Sequence, residues 1–449
     1  MSPHSPALDV AAALQAARRM YIQQNPKSRA IYAEALLHMP GGNTRAVLHA
    51  DPFPLYMQSG RGHQVVSEDG KTYTDLTGEF SAALYGHSNP TIQSAIQGVL
   101  VGTGLNLSSC TRAEVDLARE VCQRFRIDHV RFTNSGTEAN LQALAAARHF
   151  TGKRKIVVFG GAYHGGVLGF AGGKPAANNV DLGDWVVAKY NDLADAVRAI
   201  RSDGVAGVLV ECMQGAGGCI VGTGEFLKGI NKAARQAGVL LIIDEVMTSR
   251  MSAHGLSSIH NLTPDLKTFG KWLGGGLAFG AFGGRADVMA AYDPRKTTAL
   301  PHSGTFNNNT LAMRAGYVGL TEIYTAPIAE QFTEAGTELI TQLNAAAADS
   351  ILCFTGYGTV MTAHFPLDGR GDIRDAGDVE ECVQLKELFW LDMLQRGFWI
   401  ARRGLVSLIL HMPGSEMERF VDAVRGFVGR YEALLRSRTG FTDQADVVV

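Results

Sequence analysis

Between about residues 76 and 325, short apolar runs alternate with longer segments whose apolar residues recur at helical spacing. KIVVF (Lys155–Phe159), VAGVLVE (Val205–Glu211), VLLIIDE (Val239–Glu245) and AFGAFGG (Ala278–Gly284) are nearly unbroken, as expected of strands covered on both faces. Another strand ends at RFTN, ahead of a helix. The alternation predicts an α/β fold with a mostly parallel sheet between helices. Residues 1–40 read as helix, closed by a turn at Met39-Pro40-Gly41-Gly42. Residues 43–75 read as short strands, with a hairpin turn at Asp69-Gly70. From 326 to 449 the pattern changes to α+β: a long amphipathic helix, FTGYGTVMTAHF, another helix, GLVSLIL and a final helix. The expected division is therefore 1–75, 76–325 as the large domain, and 326–449, with the first and last parts forming a smaller domain.

Composition excludes several classes. The chain has 449 residues, and 41 basic against 43 acidic side chains give no stripe for nucleic acid. None of the six cysteines forms a C-x-x-C pair, so neither a metal site nor a disulfide framework is expected. Reduced thiols, an N-terminus without a leader pattern and no apolar run near roughly 18 residues point to a cytoplasmic protein outside the membrane. No G-x-G-x-x-G follows a strand, which argues against a nicotinamide dehydrogenase. Gly70-Lys71-Thr72 ends like a P-loop, but Val65 occupies the first glycine position.

The candidate chemistry sits at strand ends and turns. Asp244 closes a buried run, where a carboxylate needs a partner. A protonated pyridine nitrogen is such a partner, and Lys271, just before Gly274-Gly275-Gly276, is a candidate to carry pyridoxal phosphate. Ser135-Gly136-Thr137 opens a helix, either as a phosphate cradle or as a plain helix cap. Tyr163 and His164 lie in GAYHGG, where a flat aromatic could cover a heterocycle. Glu211 ends a strand before a glycine-rich turn and could orient a cofactor hydroxyl. Thr305, in HSGTFNNN, could donate to an anion.

Together, SGTE, YHG, a strand ending in Glu, DEV, K-x-x-GGG and SGTF resemble the class III aminotransferases of the fold-type-I pyridoxal phosphate enzymes. The resemblance runs from about residue 35 to the C-terminus. It implies that Lys271 binds the cofactor covalently and moves the substrate proton, and that Asp244 pairs with the ring nitrogen. Val246, with Met247 beside it, would pack opposite Tyr163. Gly136 and Thr137 would hold the phosphate. Thr305 would reach the cofactor of a second subunit, so a homodimer is expected. The family often has Asn-Pro after the SGTF-like segment; here Asn307-Asn308-Asn309 stands instead.

Arg45 in GGNTRAVL and Arg403 in IARRGLVSLIL are candidates for binding carboxylates, with Arg402 an adjacent competitor. Within the family, the runs MPGGNTRAVL, RFTNSGTEANLQAL and FGAFGGRADVM are most similar to the aromatic β-amino acid transaminases. Those imply a β-phenylalanine-like donor at Arg45 and a keto acid, 2-oxoglutarate or pyruvate, at Arg403, in a ping-pong cycle. Trp399 and Ile400 are expected to narrow or reshape the side-chain pocket. A glutamate-1-semialdehyde aminomutase or a transaminase of simple amines is the alternative.

Overall fold

The structure, a computed structural model, describes residues 9–367, 369, 372–378 and 380–436. The outer limits of the expected domains, at 1 and 449, and the first part of the segment read as lacking a leader lie outside these residues.

Seven strands form the central sheet: β1 (His129–Thr133), β2 (Lys155–Phe159), β3 (Trp185–Ala188), β4 (Val205–Glu211), β5 (Leu240–Asp244), β6 (Leu266–Gly270) and β7 (Gly280–Gly284). Their order is β1-β7-β6-β5-β4-β2-β3. β5 runs parallel to β4 and β6, with Asp244 opposite Glu211 on one side and Thr268 on the other. These polar residues thus share one row at the carboxyl ends of central strands, where open α/β sheets place ligands. β7 is antiparallel to both β6 and β1. Residues 271–279 are too few for the crossover that a parallel return requires.

β4, β5, β6 and β7 are buried along their whole length, which is why three of them stand out as apolar runs. Two strands escape the sequence pattern. β3 is a half-buried edge strand of four residues. β6 contains Lys267, which lies buried and donates to the Phe125 carbonyl at 3.1 Å. The run read from Val239 to Glu245 is shorter at both ends, and AFGAFGG begins its strand only at Gly280.

The N-terminal region is two helices, Val10–Gln24 and Pro26–Ala35, divided where Pro26 restarts the chain. Strands Met57–Arg61, Gln64–Ser67 and Thr72–Asp75 follow as an antiparallel meander turning at Gly70. Thr72–Asp75 also pairs in parallel with Phe398–Trp399, so the two ends of the chain share a sheet. A second small sheet joins Cys353–Tyr357, Val360–His364 and Leu405–Ser407 beneath helix Ala326–Ala346. Ile400 is fully buried in the core and Trp399 packs against that core, so any effect of Ile400 on the pocket is through packing. The six cysteines are free; Cys212, Cys219 and Cys382 are buried. No described helix is long and apolar enough to cross a membrane.

Candidate active site

Asp244 lies at the end of β5, 4% exposed. Its Oδ2 accepts from His164 Nδ1 at 2.7 Å and from Asn140 Nδ2 at 2.8 Å. Its Oδ1 accepts one backbone N–H, from Val246 at 2.9 Å, and keeps room for another donor. Asn140 is fixed in turn: Thr268 Oγ1 donates to its Oδ1 at 2.7 Å, and its amide also donates to the His164 carbonyl at 2.9 Å. Asn140 and Thr268 were not identified from sequence. The available signal was a lone amide on the buried face of a helix otherwise lined by Ala139, Ala143 and Leu144.

Helix Gly136–Thr151 starts at the end of β1. Ser135 is its N-cap, accepting from the Glu138 N–H at 3.2 Å, while Glu138 Oε2 accepts from the Asn134 N–H at 2.8 Å. Capping by Ser135 leaves the N–H groups of Gly136 and Thr137 among the helix's first-turn donors without intrahelical partners. A Cβ on Gly136 would lie 2.8 Å from Val246 Cγ2, so the valine packs directly on this backbone. Thr137 Oγ1 accepts from the Gly166 N–H at 3.2 Å and ties the helix start to the turn carrying Tyr163.

Lys271 follows β6 with φ 56, a left-handed conformation that costs a non-glycine residue energy and is typical of functional positions. Burial lowers its pKa to about 8; Asp244 opposes that shift and the Arg403 charge adds to it. Glu211 accepts from the Tyr163 N–H at 3.2 Å and the Gly215 N–H at 3.1 Å. Burial pushes its carboxyl up to about 7, moderated by His164. The Tyr163 side chain is exposed, and Met247 is buried.

The two arginines meet on one ring. The guanidinium carbon of Arg45 lies 5.3 Å from the Phe80 centroid and that of Arg403 lies 5.4 Å from it. Arg45 also pairs with Glu79. Arg402 is engaged elsewhere, donating to Glu387 Oε2 at 2.8 Å, which leaves Arg403 as the arginine on the site side. Phe80 sits in a left-handed turn, with Gly78, Glu79, Phe80 and Ser81 all at positive φ. Asp75 Oδ1 holds its entry by accepting from the Thr77 and Gly78 N–H groups at 2.8 and 3.0 Å. The buried Arg250 holds its exit, donating to the Ser81 carbonyl at 3.2 Å. Glu79 and Phe80 were missed from sequence, because no local residue preference marks a left-handed turn at three non-glycine positions.

The three asparagines replacing Asn-Pro have local partners. Asn307 Oδ1 accepts from Asn134 at 3.0 Å, Asn308 donates to Glu114 at 3.1 Å, and Asn309 caps the next helix through the Ala312 N–H at 2.8 Å. Thr305 is exposed, apart from the other site residues' hydrogen-bond network.

A carboxylate with a free acceptor position, a helix start pressed against a valine, an exposed tyrosine and a low-pKa lysine fit pyridoxal phosphate. The fold and these residues define a fold-type-I pyridoxal phosphate enzyme. Residues 46–413 match the family model for aminotransferase class-III, and the chain belongs to that family. It is 46% identical over 429 residues to a beta-phenylalanine transaminase of Variovorax paradoxus, covering 94% of this chain and 97% of that one. It is 32% identical to a glutamate-1-semialdehyde 2,1-aminomutase of Clostridium tetani, covering 88% and 99%. The solved beta-phenylalanine aminotransferase of Variovorax paradoxus superposes with a TM-score of 0.92 at 45% identity, covering 95% of this chain and 99% of that one. The protein is thus a pyridoxal phosphate-dependent aminotransferase acting on small molecules.

Proposed function

We propose that this aminotransferase moves the amino group of a β-amino acid, with an aromatic β-phenylalanine-like side chain, to 2-oxoglutarate or pyruvate in a ping-pong cycle. The observation that carries this reading is the pair of guanidiniums, Arg45 and Arg403, both set against the ring of Phe80. Two cations suit two carboxylates, one on the donor and one on the acceptor. The likeness to a beta-phenylalanine transaminase supports the aromatic donor.

Pyridoxal phosphate, when bound, supplies an electron sink that stabilises negative charge on the substrate carbon. Asp244 is placed to keep the ring nitrogen protonated, with His164 and Asn140 fixing its carboxylate. Gly136 and Thr137 offer backbone donors to the phosphate, assisted by Ser135 at the helix cap. Val246 and Tyr163 would flank the ring. Glu211 orients the Tyr163 turn through its backbone. Lys271 anchors the cofactor and, once released, takes the proton at Nζ as a general base; its low pKa suits that task at neutral pH. Thr305 completes the site of a second subunit in a cytoplasmic homodimer.

The test is a half-reaction without acceptor. Purified yellow enzyme is mixed separately with β-phenylalanine, an α-amino acid, glutamate semialdehyde and 1-phenylethylamine, and cofactor absorbance is followed. Fastest bleaching by the β-amino acid is expected. A faster reaction with the semialdehyde or the simple amine would remove Arg45 from the donor role.

A further inference from the structure

Arg45, the cation proposed to hold the donor, already has a carboxylate against it: its Nη1 pairs with Glu79 Oε1. The pairing is exclusive on both sides. Among the described residues, no other acid lies within ion-pair distance of Arg45, and the Glu79 carboxylate accepts from no other group. Neighbouring acids of the site differ. Asp75, Glu138 and Glu211 each accept backbone N–H groups and thereby shape the chain around them. The Glu79 carboxylate holds nothing but the guanidinium.

One turn supplies both groups that touch Arg45. Gly78 to Ser81 run at positive φ, a region that non-glycine residues avoid. Asp75 fixes the entry of this turn and Arg250 its exit. Consecutive residues then meet one guanidinium, Glu79 by charge and Phe80 by its ring. The pair is nevertheless open to water: the Arg45 side chain is 43% exposed and that of Glu79 54%. Solvent screens an ion pair so placed and leaves it weak enough to exchange.

From these contacts we infer that Glu79 is a specificity-determining residue: an internal carboxylate that occupies Arg45 in the empty enzyme and that the donor's carboxylate must displace. The inference rests on the reading of Arg45 as the donor's carboxylate site. The donor binds only the fraction of enzyme in which Arg45 is free, so the internal pair weakens its apparent affinity. The usual strength of exposed pairs makes that effect about two- to sixfold. An amine without a carboxylate meets no such competition. Glu79 therefore narrows the preference for carboxylated donors that Arg45 creates.

The experiment is a set of half-reactions on holoenzyme without acceptor, giving a half-saturating concentration and a limiting rate for β-phenylalanine and for 1-phenylethylamine. In Glu79→Gln, the half-saturating concentration of β-phenylalanine is expected to fall about two- to sixfold relative to that of 1-phenylethylamine, with a smaller change in limiting rate. Taking the ratio cancels any effect of the lost negative charge on the ammonium that both donors carry. A merely structural Glu79 would instead loosen the turn and weaken β-phenylalanine; that result, or an unchanged ratio, overturns the inference. If Glu79→Gln does not fold, Glu79→Asn decides by the same ratio, since asparagine tolerates left-handed backbone. Arg45→Ala separates this failure from failure of the donor reading. If it leaves the half-saturating concentration of β-phenylalanine unchanged, Arg45 is not the donor site and both readings fall. If it raises that concentration about tenfold or more while Glu79→Gln does not lower it, the inference alone falls.

Discussion

Lys271 is an ammonium placed where an ammonium is disfavoured. Burial lowers its pKa from 10.5 to about 8, and only Asp244 and more distant acids pull it back. The sign follows directly: the neutral amine is the reactive form, so its fraction rises as pH passes through the lowered value. In cofactor-free enzyme, the rate of pyridoxal phosphate uptake should rise with a midpoint near pH 8 and then level off. Stopped-flow absorbance measures this. A rate still climbing about tenfold per unit above pH 9 would mean that Lys271 titrates like an ordinary lysine. Arg402 and Arg403 show the opposite lesson at this scale. They are neighbours of one type, yet Glu387 engages the first and Phe80 faces the second. Sequence left both open because the distinguishing partners lie on other elements.

Elements differ in how visibly their role is written in the chain. β4 and β5 were legible because uniform burial demands apolar residues at every position. β6 was hidden by Lys267, whose charge reaches a carbonyl outside the sheet. The Gly78–Ser81 turn was invisible for a different reason. Left-handed backbone costs about 1–2 kcal/mol per non-glycine residue, and the turn is held by Asp75 just before it and by Arg250, which alone is distant in sequence. The helix start at Gly136 was legible, since capping and cradle require the same short motif. It also permits a clean test. A methyl at this position would meet Val246 at 2.8 Å and separate helix from strand. Gly136→Ala should weaken cofactor binding about tenfold or more, while the cofactor-free protein loses roughly 1–3 kcal/mol of stability, the usual cost of overpacking. Equilibrium titration with pyridoxal phosphate and denaturant unfolding separate the two. Unchanged cofactor affinity would detach the Gly136–Val246 contact from the site.

At the scale of the molecule, one surface asks for a cover. Leu100, Val101, Leu105 and Leu107 are exposed along a single stretch, and Phe306 is exposed beside Thr305. Thr310 Oγ1 donates to the Gly104 carbonyl at 3.0 Å, joining this ridge to the segment that carries Thr305. Contiguous exposed apolar residues of this kind mark an interaction surface. In the proposed homodimer the ridge would lie between subunits. Val101→Glu combined with Leu107→Glu should convert the enzyme to monomers in sedimentation analysis and abolish most turnover, because Thr305 then reaches no second site. A fully active monomer, or a variant dimer as stable as the parent, would place the interface elsewhere.

Phe80 has a further meaning for anyone who would redesign this enzyme. A single ring lies within 5.4 Å of both guanidinium carbons, the one proposed for the donor and the one proposed for the acceptor, on a left-handed backbone. Under the proposed roles, position 80 is a shared dial: a smaller side chain that admits a bulkier amine would also remove the support under Arg403, so gains in donor scope at this site should come with losses in acceptor affinity. Libraries that vary position 80 alone will trade one against the other, and only paired changes that re-support Arg403 will escape the exchange.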